Sequence, residues 1–214
     1  MTLQLRVLNI GCGPKSKSRL HRAFHGPEWD EVRLDIDKNV EPDIVGSIVD
    51  MWEVPTASFD AVWSSHNVEH LHAHEVQPAL REIRRVLKPG GFCLITCPDI
   101  EVVARLIVEG KLDDPAYISS AGPITPIDMM FGHGASIAAG QRYMAHNTAF
   151  SLKRLGDQLV QAGFGEARGL THLFDLWVVG AAGSLDLARH TLAGVPPLDA
   201  LFDDVPQAMP AFAR

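Results

Sequence analysis

Apolar residues fall in short runs along this chain, and the runs alternate with stretches of helical period. Residues 5–10 form an apolar run that ends at Gly11-Cys12-Gly13-Pro14, which predicts a buried strand and then a glycine turn. Residues 16–24 carry Leu20, Ala23 and Phe24 at helical spacing, so a helix capped by Ser16 is expected there. Residues 32–36, 44–49, 59–64 and 92–97 suit four further strands. Residues 73–87 place Val76, Leu80, Ile83 and Leu87 on one helix face, with Arg81, Glu82, Arg84 and Arg85 largely on the other; Pro89-Gly90-Gly91 stops the helix. Strand and helix thus alternate through the first hundred residues. That order predicts an α/β fold with a mostly parallel sheet, right-handed crossovers and helices on both faces.

Beyond Pro98 the pattern loosens. Residues 100–108 read as a helix, 151–162 as another stopped by Gly163, and 173–179 as a strand. Residues 111–147 mix Gly, Pro, Met, His and Ser without a clear period, and a Pro-rich stretch begins at Val195.

The 214 residues suffice for one domain with an insertion and a real core. The formal charge of −7 argues against a broad nucleic-acid-binding face. Arg81, Arg84, Arg85 and Lys88 read as a solvated helix face. No apolar run of about 18 residues predicts a membrane span, and the N-terminus has no leader pattern. The three cysteines, Cys12, Cys93 and Cys97, form no C-x-x-C pair, so neither a disulfide framework nor a zinc ribbon is expected. A reducing cytoplasm is the expected setting. Cys93 and Cys97 share a strand face as small core residues, with Cys97 placed at the rim of the site.

The glycine turn carries the clearest chemistry. Gly-x-Gly at a strand end lets a ligand approach the backbone, and a helix start behind it would offer free N–H groups. Asp35, closing the second strand, is placed to accept hydrogen bonds from ribose hydroxyls. A dinucleotide fingerprint asks for a third small residue where Ser16 stands, and Pro14 removes one N–H. A nucleotide-dependent oxidoreductase is therefore a lesser alternative.

A second block adds to this. Phe59-Asp60-Ala61-Val62-Trp63 is followed by Glu69-His70 and by Arg85-Val86-Leu87-Lys88-Pro89-Gly90-Gly91. With Leu8-Asn9-Ile10-Gly11-Cys12-Gly13 upstream, the chain resembles the class I S-adenosylmethionine-dependent methyltransferases, nearest the type 11 branch. The resemblance covers residues 5–100 well and 148–180 loosely. It implies a Rossmann-like, doubly wound sheet of seven strands with an antiparallel edge. It divides the chain into a methyltransferase domain over 1–181, with a substrate-side insertion at 111–147, and a tail over 182–214. The resemblance also implies S-adenosyl-L-methionine as cofactor. Gly11 and Gly13, with Asn9 and Cys12 of the same motif, would lie against its methionine end. Asp35 would hold the ribose, Asp50 and the Met51 backbone the adenine, and Ser65 and His66 the floor near the methyl group.

Two departures stand out. Asn9 occupies a position where the family often has an acid, which leaves open a catalytically inactive binding or partner subunit. The chain also starts almost at the first strand, so cover for the cofactor must come from residues 111–147, the C-terminal tail or a second subunit in a homodimer.

His66-Asn67-Val68-Glu69-His70 fits the H-x-x-E-H zinc pattern, but it directly follows a strand end, and no metal is expected. His72 and His74 read as exposed loop residues. Methyl transfer needs an aligned nucleophile and exclusion of water. An amine or hydroxyl acceptor must also lose a proton, which makes His66, His133 and His146 the expected bases. Phe131, Arg142 and Tyr143 would contact the acceptor, with Met129 and Met130 as part of an apolar lid or a satellite core. The expected acceptor is a small molecule or saccharide-type precursor.

Overall fold

The computed structural model describes residues 4–119 and 121–203. Seven strands form one sheet: β1 (Leu5–Ile10), β2 (Trp29–Asp35), β3 (Ile44–Val45), β4 (Phe59–Ser65), β5 (Leu87–Pro98), β8 (Glu166–His172) and β9 (Asp175–Ala181). Their order is β3-β2-β1-β4-β5-β9-β8. The pairs among β1 to β5 are parallel, and β9 runs antiparallel to both β5 and β8. A separate hairpin joins β6 (Tyr117–Ser119) to β7 (Gly122–Ile124). The strand order reverses at β1, so β1 and β4 flank the crevice where open α/β sheets take ligands.

Alternation along the strands divides the core in two. Leu8, Ile10, Val62, Cys93, Ile95 and Val178 face one side. There they meet α1 (Val76–Val86), through Leu80 and Ile83, and α5 (Leu152–Gln161), through Leu155 and Leu159. Val7, Ala61, Trp63, Phe92, Leu94 and Val179 face the other side. Their cover is Leu20 and Phe24 together with α6 (Asp186–Leu192) and a final 3-10 turn, Leu198–Phe202. Leu192 and Leu198 are fully buried, so the described part of residues 182–214 is a layer of the fold; positions 204–214 of the expected tail, and 1–3 at the N-terminus, lie outside the described residues.

Several expectations are corrected. Residues 16–24 form no α-helix; turns lead to a single 3-10 turn at Arg22–Phe24. Leu20 and Phe24 are still buried, because a loop pinned at several points can present the same two apolar groups. The third strand shortens to two residues, and the fifth begins at Leu87, with the Pro-Gly-Gly stretch in a register shift beside Phe59 and Ala61. Gly91 is required there, since a Cβ would lie 2.8 Å from the Asp60 carbonyl oxygen. The expected strand at 173–179 is β9, and its antiparallel partner β8 completes the seven strands that the resemblance implies, at residues no apolar run marks; Leu173 sits in the turn at φ +56°. The basic helix face is largely structural: Arg84 donates to the Gly163 and Ala182 carbonyls, and Lys88 pairs with Asp60 at 2.7 Å.

The insertion has its own small core. Val103 of α2 (Ile100–Val108) packs with Ile124 and with Met129 of α3 (Pro126–Phe131), joined by Met130 and Phe174. A short α4 (Gly134–Ala138) follows. Thr125 and Asp128 form a reciprocal capping box at the start of α3.

Candidate functional site

The glycine turn is fixed from its neighbour strand rather than by a helix. Gly11 and Gly13 adopt φ +64° and +59°, where a side chain would be strained. The Gly13 N–H donates to Asp35 Oδ2 at 2.8 Å, and the Gly13 carbonyl accepts from Arg33 Nη2 at 2.6 Å. Arg33 is buried and also donates to the Val40 and Glu41 carbonyls. Asp35 Oδ1 accepts from the Asp37 N–H at 2.9 Å. With no helix N-terminus behind the turn, the expected row of free N–H groups is absent among the described residues. A pyrophosphate would therefore find no helix N-terminus here, and the oxidoreductase alternative gains nothing.

Asn9 is buried and donates through Nδ2 to Glu31 Oε1 at 2.8 Å, which turns its side chain to the neighbouring strand. The Cys12 side chain is also buried; burial is the main cause that pushes its thiol up to about 11, so only its backbone faces the turn. Met51 departs from expectation. Its N–H donates to Glu82 Oε2 and its carbonyl accepts from Arg85, both at 2.8 Å, so its backbone is already satisfied. Asp50 remains exposed. Beside the two acids stand apolar side chains that the sequence reading missed, Ile36 at 56% and Trp52 at 77% exposure. Their signal was adjacency: each follows Asp35 or Asp50 within two residues.

Past the end of β4, His66 sits at φ +47°, a conformation uncommon for its type. Its Nδ1 lies 3.3 Å from Glu69 Oε1 and its Nε2 lies 3.6 Å from Asp175 Oδ2. Burial disfavours the charged ring, yet Asp175 and Glu69 outweigh it and raise His66 to about 10. Glu69 is 2% exposed; burial opposes its ionisation, but the pairing with His66 holds it below the usual range. A His between two carboxylates holds its proton at neutral pH, which removes it as a base. The Asn67 side chain lies over Gly11, 2.7 Å from where a Cβ would stand.

The other histidines divide. His146 Nδ1 faces the Met129 carbonyl at 2.9 Å and the ring lies edge-on to His70, with centroids 4.9 Å apart. His133 is the N-cap of α4, with Nδ1 2.7 Å from Ser136 Oγ, and is not among the groups around His66. His72 and His74 are exposed and stacked. Phe131, Arg142 and Tyr143 are exposed on the insertion, while Met129 is buried in its small core. Cys97 is not at a rim: it is fully buried, and that burial raises its thiol well above the ordinary value. Cys93, buried on the same face, is pushed up to about 12 for the same reason.

Buried polar atoms without hydrogen-bond partners collect near the carboxyl ends of β4 and β5: Ser64 Oγ, Asn67 Nδ2, Thr96 Oγ1 and both Glu69 oxygens. Such atoms are costly unless a ligand or solvent meets them. Together with the glycine turn, Asp35 and the exposed apolar pair, they suit an adenosyl ligand with a polar amino-acid end.

The seven-stranded, mostly parallel sheet with its antiparallel edge is a Rossmann-like fold of the methyltransferase type. Residues 8–95 match the family model described as "Methyltransferase domain". No curated protein matches the chain. Among solved structures, an S-adenosylmethionine-dependent methyltransferase from Methanosarcina mazei is 17% identical at TM-score 0.55, over 86% of this chain and 95% of that one. The Burkholderia thailandensis 1,6-didemethyltoxoflavin-N1-methyltransferase, solved with bound 1,6-didemethyltoxoflavin and S-adenosylhomocysteine, is 14% identical at TM-score 0.52, over 84% of this chain and 71% of that one. The citrinin polyketide synthase CMeT domain is 13% identical at TM-score 0.54, over 84% of this chain, which spans 47% of that one. These likenesses establish the fold. Among the described residues no helix is long and apolar enough to cross a membrane.

Proposed function

We propose that this chain is an S-adenosylmethionine-dependent methyltransferase acting on a small molecule or saccharide-type precursor. The observation that carries the reading is the strand-anchored glycine turn, with Gly13 held on the Asp35 carboxylate at 2.8 Å, inside a segment that matches the methyltransferase domain. Bound cofactor would supply an electrophilic methyl group on a sulfonium. Each Asp35 oxygen keeps a further lone pair, so the carboxylate can accept from ribose hydroxyls while holding the turn. Ile36 and Trp52 would cover the adenine, with Asp50 beside them. Ser65, Asn67 and the backbone of Gly11 to Gly13 would line the remainder.

His66 carries positive charge, and its ring is 43% exposed toward incoming groups. It orients or stabilises an anion rather than removing a proton. Burial lowers His146 below the ordinary histidine value, so its ring is neutral with Nε2 free. His146 is thus the ring suited to accept a proton from the acceptor. Phe131, Arg142 and Tyr143 on the insertion would meet the acceptor itself.

Isothermal titration tests this. S-adenosylmethionine and S-adenosylhomocysteine should bind with micromolar dissociation constants, and NAD(P)H should not. Failure of both adenosyl ligands to bind folded protein would overturn the assignment.

A further inference from the structure

The H-x-x-E-H pattern in the sequence turns out to be split by the fold. His66 leaves the helical turn and faces Asp175, while Glu69 and His70, in the 3-10 turn Val68–His70, meet His146 arriving from the end of the insertion. One ligand-type atom from each of Glu69, His70 and His146 lies within 4.8 Å of the others. We propose that these three side chains form a binding site for a divalent first-row cation of the zinc or cobalt type, at the seam between β4 and the 111–147 insertion.

Three independent features point to a ligand there. Glu69 is 2% exposed and neither of its oxygens receives a hydrogen bond, although His66 lies 3.3 Å from one of them. Two histidines and one carboxylate are a donor set that borderline divalent ions take, with positions left open for water or a substrate oxygen. His146 is held as metal-bound histidines are: Nδ1 faces the Met129 carbonyl and Nε2 is left to ligate. His70 has a carbonyl near each nitrogen, Ala145 at 3.0 Å and His66 at 3.1 Å. One contact would persist as the orienting bond and the other would yield to the cation. Metal–ligand distances of about 2.0–2.2 Å require the three donors to draw in by about 1 Å, within reach of side-chain rotation.

The backbone is already organised around this point. The Asn147 and Thr148 N–H groups donate to the Glu69 carbonyl, and Asn147 Nδ2 donates to the His70 carbonyl at 2.7 Å. A cation would therefore staple the insertion to the sheet beside the floor residues and present its open positions to the acceptor. A ligated His146 would no longer act as a base; an acceptor hydroxyl would instead be acidified by the metal. This role rests on the proposed function for its place beside the acceptor, but the metal site itself does not.

The test uses protein stripped with a chelator and titrated with Zn²⁺ or Co²⁺ alone. The wild type should bind one equivalent with micromolar or tighter affinity and show visible Co²⁺ bands of a low-coordinate site. Glu69→Gln and His146→Ala should each weaken binding at least tenfold and remove the bands. The double variant of His72→Ala with His74→Ala should keep both. Cooperative thermal unfolding of His146→Ala reports that the variant is folded, and covers the case in which Glu69→Gln does not fold. Absence of binding to the wild type, or undiminished binding to His146→Ala, would overturn the proposal. Zn²⁺ binding that persists without any adenosyl ligand binding would instead sink the methyltransferase reading and leave the site standing.

Discussion

Asp35 anchors the glycine turn and the backbone just after β2, and its removal separates anchoring from ligand binding. Asp35→Ala deletes an acceptor for the Gly13 N–H at 2.8 Å and another for the Asp37 N–H at 2.9 Å. Both are charge-assisted bonds at a half-buried site, so the loss in stability should be about 1–3 kcal/mol. The same carboxylate is expected to accept from the ribose. Loss of that contact costs about 1–3 kcal/mol of binding, or roughly 5- to 150-fold in affinity. Urea unfolding gives the first quantity, and titration with S-adenosylhomocysteine on folded protein gives the second. Arg33→Met is the matched control. It frees the Gly13 carbonyl from its 2.6 Å bond and should lower stability, while reducing affinity less than Asp35→Ala at temperatures where both remain folded. Affinity within twofold of wild type in folded Asp35→Ala would refute the ribose role.

Three other outcomes are expected. Burial first, then Arg22 and His25, lower His21 to about 4 against an ordinary 6.5. The unfolded chain therefore takes up this proton first as pH falls, and stability should decline from about pH 7 to about pH 4. The full shift is worth about 3 kcal/mol, nearer 2 because water reaches part of the ring; His21→Phe should flatten that slope in denaturant titrations. Gly11→Ala puts a Cβ 2.7 Å from the Asn67 side chain at φ +64°, and should cost about 1–2 kcal/mol by thermal melting, with weaker S-adenosylhomocysteine binding. Leu198→Ala opens a cavity beneath the last 3-10 turn, where the side chain is fully buried, and should destabilise the protein by about 2–5 kcal/mol in urea, with adenosyl binding little changed while it stays folded.

The first hundred residues were legible because each strand is a short apolar run closed by Gly, Pro or a charged turn. β8 escaped because it is an edge strand: Glu166, Arg168, Gly169, Thr171 and His172 interrupt any apolar run, and β9 alone pairs with it. Residues 16–24 misled for another reason. The spacing of Leu20 and Phe24 fits a helix, but the Trp63 indole, which donates to the Arg19 carbonyl at 2.8 Å, and the Pro196 carbonyl, which accepts from Arg22 Nη2 at 3.0 Å, tie the segment down as a loop. Those anchors lie far away in sequence. The site divides in the same way. Gly11, Gly13 and Asp35 could be read locally, whereas the charge on His66 depends on Asp175 across the sheet. The pairing of His70 with His146 depends on how the insertion returns.

The layer over Phe24, Trp29 and Phe92 is completed by α6 and the closing 3-10 turn, which follow every strand of the sheet in chain order. On the ribosome this side of the sheet stays only partly covered until residue 202 has emerged. Nascent protein must therefore carry an adhesive aromatic surface after all seven strands have emerged, and chains cut before residue 198 would depend on chaperones or aggregate.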